Sequence, residues 1–158
     1  MSGATNSGYA DKAQAAAEVR AATEPRAAAE VQASAEVQAA ADALVAAFAG
    51  NRLDDYFGSF TPEATFLFPT TPQRLTSVAE YRELWRGWVE QDGFHVLACA
   101  STRPLVQVFG DTAVFSHHVE TLIATHAGEE RAHERETIVF HLRAGRWLAV
   151  HEHLSAAA

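Results

Sequence analysis

The chain has 158 residues, 48% hydrophobic and 20% charged, which is enough for one domain with a buried core. Its formal charge of −8 argues against a nucleic-acid backbone or an anionic membrane as partner, since both attract clustered Lys and Arg. Cys99 is the single cysteine, so no intrachain disulfide can form, and no apolar run approaches the ~18 residues of a membrane span.

Residues 1–35 form an alanine-rich, low-complexity tail, expected to be partly helical or disordered. Met1–Ala10 is small and polar. A near-repeat follows in Ala17–Ala21, Ala29–Ala33 and Ala35–Ala39, built on Ala-Glu-Val and spaced unlike a heptad. Its Ala, Glu and Gln favour helix, and Pro25 is expected to interrupt it. The N-terminus lacks a basic start followed by an apolar segment, so a cytoplasmic address is expected.

The main domain, residues 36–155, begins with Val37, Ala41, Leu44 and Phe48 on one helical stripe, stopped by Gly50-Asn51. Asp54-Asp55 starts a short helix through Phe60, and Ala64–Phe68 reads as a strand. Ser77-Val-Ala-Glu80 is a capping box opening a third helix with Val78, Tyr81, Leu84, Trp85 and Trp88 on one face, ended by Asp92-Gly93. Four strands follow at about 94–109, 112–126, 131–143 and 146–154, jointed at Gly110-Asp111, Ala127-Gly128 and Ala144-Gly145. Residues 156–158 are a short tail. Helices followed by an antiparallel meander give an α+β plan with helices on one sheet face.

Two-residue turns at Ala144-Gly145 and Ala127-Gly128 would pair Ile138 with His151, Glu136 with His153, His117 with Ile138 and Val119 with Glu136. One face would then carry Phe115, His117, Val119, Glu136, Ile138, Phe140, Trp147, Ala149, His151 and His153. Glu120 would oppose Arg135 on the other face as an ion pair. A carboxylate among aromatic residues has its pKa raised, which suits a general acid or base, and a neighbouring imidazole opposes that shift. His151 and His153 with Glu136 could also converge on a metal, but no metal is expected.

Phe48–Phe57, Ala64-Thr-Phe66, Gly110–Val114 and Gly145–Ser155 resemble the SnoaL-like group of the nuclear transport factor 2-like superfamily. The Gly-basic-Trp147 and His151-x-His153 ending is similar to the branch near the calcium/calmodulin-dependent kinase association domain. The resemblance implies a curved antiparallel sheet wrapped around N-terminal helices as a cone, with a pocket at the open end and a homodimer through the convex sheet face. Pocket arginines of the association-domain branch correspond here to Val119 and Ile138, which implies an apolar ligand.

The expected function is binding of a small apolar organic molecule, with a cofactor-free isomerase, cyclase or lyase reaction as its possible chemistry. Glu136 or His153 would remove a proton beside a carbonyl, and His117 or His151 would donate to the enolate oxygen. Tyr56, Phe60, Phe66, Tyr81, Trp85, Trp88, Phe115, Val119, Ile138, Phe140 and Trp147 are the candidate pocket residues. The alternative is a non-catalytic association or ligand-sensing module, with the tail as tether. No cofactor, nucleic acid or membrane partner is expected.

Overall fold

The computed structural model describes residues 7–157; the expectations for Met1–Asn6 and Ala158 lie outside them. The chain divides into one unit that ends at Ala33 and another that begins at Ser34. Helix α1 runs over Ser7–Ala49, α2 over Leu53–Gly58, strand β1 over Phe60–Leu67, and α3 over Val78–Gly87, extended by a π-helical turn at Trp88–Asp92. The strands β2 (His95–Phe109), β3 (Thr112–Thr125), β4 (Gly128–Arg143) and β5 (Arg146–Ala156) follow.

Pro25 does not interrupt α1. It removes one backbone donor, at a cost of about 3 kcal/mol, but strong helix formers flank it and the carbonyl it leaves faces solvent. Residues 11–32 are exposed throughout. From Val37 onward the expected stripe is real: Val37, Ala41, Leu44 and Ala47 are buried.

Helix α2 stops at Gly58 because Phe60 already belongs to β1, which starts earlier than the sequence suggested. At the start of α3, the Ser77 hydroxyl accepts from the Glu80 amide at 3.1 Å. The Glu80 carboxylate returns the bond to the Thr76 amide rather than to Ser77. Gly93, at φ 68°, closes the π turn in the left-handed region that a side chain would resist.

The sheet order is β1-β5-β4-β3-β2, antiparallel except for the parallel pairing of β1 with β5. Two features differ from the expected register. The β3–β4 turn is His126-Ala127 rather than Ala127-Gly128, so β4 begins at Gly128 and each pair shifts by two residues. An even shift keeps every side chain on its face but changes its partner. His117 now opposes Glu136, Phe115 opposes Ile138, and Val119 opposes Glu134. Glu120 opposes His133 and pairs with Arg131, so the expected Glu120–Arg135 pair does not form.

The second difference is a bulge in β5. Phe140 pairs with Ala149 but Val139 pairs with His151, which leaves Val150 as an extra residue. Past a bulge the alternation is offset by one. Glu152 and Leu154 therefore take the inner face, while His151 and His153 leave it. Further bulges at Leu97 and at Arg103 (φ 54°) bend β2, and the sheet is curved. The core of the Ser34 unit lies on the inner face, where Phe66, Phe115, Ile138, Phe140 and Ala149 are fully buried. No helix among the described residues is long and apolar enough to cross a membrane.

Candidate functional site

The inner face carries three polar side chains in a row among buried apolar ones. His117 on β3 and Glu136 on β4 are directly opposed, and the imidazole Nε2 hydrogen-bonds the Glu136 carboxylate. The other ring nitrogen, Nδ1, lies 2.6 Å from the Ser101 hydroxyl of β2. A ring that donates from Nε2 to Glu136 can accept at Nδ1 from Ser101, which fixes the carboxylate's orientation. Next along is Glu152, brought in by the β5 bulge and hydrogen-bonded to Glu136.

Helix α2 supplies Tyr56, whose hydroxyl donates to the Glu152 oxygens at 3.2 and 3.4 Å. Helix α3 supplies Tyr81, whose hydroxyl is 3.3 Å from that of Tyr56. The result is a hydrogen-bonded chain, Ser101–His117–Glu136–Glu152–Tyr56–Tyr81, that joins four strands to two helices.

Burial governs its electrostatics. Glu152 is held well above the usual carboxylate range, first by burial and then by the Glu136 charge, while the Tyr56 hydrogen bond acts in the opposite direction. Two carboxyls this close cannot both ionise cheaply, and burial puts that cost on Glu152, which holds its proton above the usual carboxylate range. Tyr56 and Tyr81 are raised above the ordinary phenol value by burial and then by Glu152, so both remain hydroxyl donors.

The chain ends at a cavity of about 220 Å³. Glu136, Glu152, Tyr56 and Tyr81 line it, with Phe48, Phe68, Trp85, Trp88, Phe94, Val119 and Leu154 among its apolar walls. Cys99 also lines it, its thiol pushed up to about 11 mainly by burial. Glu130 and Glu134 line it as well, and Glu134 is raised by burial and by Glu136.

Of the residues singled out from sequence, Tyr56, Tyr81, Trp85, Trp88, Val119 and Glu136 line this cavity, and His117 sits behind Glu136. Phe60, Phe66, Phe115, Ile138, Phe140 and Trp147 do not line it; all are buried among other core side chains. Trp147 donates to Glu36 at 3.2 Å. His151 and His153 lie on the outer face because of the bulge: His151 bonds Thr65 at 2.7 Å, and His153 is exposed. The same bulge separates both from Glu136. Among the described residues, no group of three or more His, Cys, Asp or Glu could hold a metal.

Glu152 escaped the sequence reading. Alternation carried unbroken across Val150 assigns it to the face of Leu148, and only the bulge brings it inward.

The family model of the SnoaL-like domain matches residues 37–158. The chain belongs to the SnoaL-like domain family. Solved structures share the fold of this SnoaL-like chain. One is a proposed aromatic ring hydroxylase from Novosphingobium aromaticivorans, 20% identical, with a TM-score of 0.71 over 81% of this chain and 91% of that one. The CaMKII hub of S. rosetta is 23% identical, with a TM-score of 0.65 over 78% of this chain and 96% of the hub. An NTF2-like protein of unknown function from Pseudomonas putida is 15% identical, with a TM-score of 0.66 over 80% of this chain and 88% of that one. No curated protein matches the sequence.

Proposed function

We propose that this SnoaL-like domain binds a small organic molecule in the cavity and moves a proton on it without a cofactor. The observation that carries the reading is the carboxyl pair at the cavity wall, Glu136 hydrogen-bonded to His117 and Glu152 to Tyr56. Glu136 takes a proton from the carbon beside a carbonyl, and Tyr81 donates to the enolate oxygen. Glu152 returns its own proton to a different carbon. The proton on Glu136 then passes to Glu152 along their shared hydrogen bond, so the pair is restored and the net change is an isomerisation.

The test uses β-tetralone, an enolisable apolar ketone, in deuterium oxide, with deuterium uptake followed by mass spectrometry. The wild type is expected to accelerate exchange, and Glu136→Gln to lose roughly 10²-fold or more of that acceleration. Equal exchange with and without protein, or an unchanged rate in Glu136→Gln, would refute the assignment.

A second reading, association, is favoured by Leu105 and Phe109, which are 55% and 62% exposed on edge strand β2. Their register places them on the outer face with Ser116 and Thr112. In this reading the outer sheet face makes a homodimer. Sedimentation is expected to show a dimer that Phe109→Glu dissociates; a wild-type monomer would exclude it.

A further inference from the structure

The charge of the cavity wall is one-sided. Glu130, Glu134, Glu136 and Glu152 all line the cavity, and no Lys, Arg or His side chain does so. Only Glu136 has a partner of opposite potential, His117, and Glu152 is bonded to Glu136 and Tyr56. Glu134 opposes Val119 on the inner face, half-buried, and makes no hydrogen bond or ion pair among the described residues. A half-buried carboxylate without a partner is costly, and a cation beside it relieves that cost. Much of the rest of the wall is aromatic, beside aliphatic residues such as Leu44, Val119 and Leu154. Trp85, Trp88 and Phe94 stand 5.1–6.2 Å apart between ring centroids, with Tyr81 and Phe48 against Trp85. Such rings attract a cation to their faces and exclude water from it. An anion entering here would meet the carboxylates with no Lys or Arg on the wall to offset them.

We infer that the cavity selects an organic cation, an amine or quaternary ammonium on an apolar body, with Glu134 and the Trp85–Trp88–Phe94 rings receiving the charge. The inference rests on the pocket reading above and specifies its ligand class. In that reading the cationic group sits by Glu134 and the aromatic wall, while the reacting carbonyl faces Glu136 and Tyr81. The ligand is therefore expected to carry both groups.

Benzyltrimethylammonium and its uncharged isostere neopentylbenzene separate charge from shape, and phenylacetate reverses the charge. Each is titrated against the full chain, with quenching of tryptophan fluorescence and calorimetry as readouts. The cation is expected to bind roughly tenfold tighter than its isostere, and phenylacetate not at all. Glu134→Gln is expected to cut the cation-to-isostere ratio several-fold while leaving neopentylbenzene affinity unchanged. Trp88→Leu is expected to weaken the cation as well. Isostere binding as tight as the cation's, tightest binding by phenylacetate, or an unchanged ratio in Glu134→Gln would overturn the charge assignment and leave the pocket reading standing. Failure of all three probes to bind would overturn both.

Discussion

Tyr56→Phe removes one oxygen from the centre of the buried chain and leaves the ring in place. Tyr56 is 2% exposed, and its hydroxyl links Glu152 to Tyr81. The bonds to Glu152, at 3.2 and 3.4 Å, are long for O–H···O, so their worth lies toward the low end of the usual range. Losing the donor while Glu152 stays buried should cost about 1–2 kcal/mol, or roughly 3–8 °C in Tm for a domain of this size. Tyr56→Ala removes the ring too. That ring has five aromatic neighbours, Phe48, Phe57, Phe60, Tyr81 and Trp85, at 5.2–6.1 Å, so the truncation should cost about 3–5 kcal/mol. Urea unfolding followed by far-UV circular dichroism measures both. Because the Tyr56 bond lowers the Glu152 pKa, Tyr56→Phe should also push that carboxyl higher still. A Tyr56→Phe variant as stable as the wild type, or as damaged as Tyr56→Ala, would refute the place given to the hydroxyl.

Other consequences follow from the same geometry. Glu152 keeps its proton in the folded state above the ordinary glutamate pKa of about 4.3, at which the unfolded chain releases it. Stability should therefore fall as pH rises from there toward the raised native value, and Glu152→Gln should flatten that decline in urea midpoints measured across the range. His153→Ala, on the exposed outer face, should change stability by no more than about 0.5 kcal/mol and leave β-tetralone exchange intact; a lost exchange would return His153 to the site. With its thiol at about 11 against an ordinary 9.0, Cys99 should react with iodoacetamide at neutral pH roughly 100-fold more slowly than a free cysteine, and more slowly again with benzyltrimethylammonium bound. Ser77→Ala should cost about 1 kcal/mol by removing the α3 cap, read in the same urea titrations.

Much of the domain is legible because its signals are local. The Val37–Leu44 stripe, the Ser77 cap and the Gly93 stop each rest on residues within a few positions, and all appear as expected. The faces of β3 and β4 are legible too, because a turn one residue away shifts the register by two and keeps every side chain on its face. The partners were less legible than the faces: His117–Glu136 became visible only once the turn settled on His126-Ala127. The β5 bulge left no such mark. Val150 is β-branched like an ordinary strand residue, and nothing around it resembles the glycine that often flags a bulge. The His-x-His pattern consequently pointed to the wrong face, and Glu152, which the bulge brings inward, went unnoticed. Cavity residues from distant segments, such as Phe48, Phe68, Phe94, Cys99 and Glu134, depend on how the helices lie on the sheet. Periodicity does not report that.

Glu152, buried against Glu136 at the cavity wall, holds its proton well above the ordinary glutamate range. Difference infrared spectroscopy of the carboxyl carbonyl stretch, recorded as pH rises from below the ordinary glutamate range to above neutrality, tests it directly. A protonated-carboxyl band is expected to persist well above that range and to disappear in Glu152→Gln. Loss of every such band within the ordinary glutamate range, or a persistent band unaffected by Glu152→Gln, would contradict it.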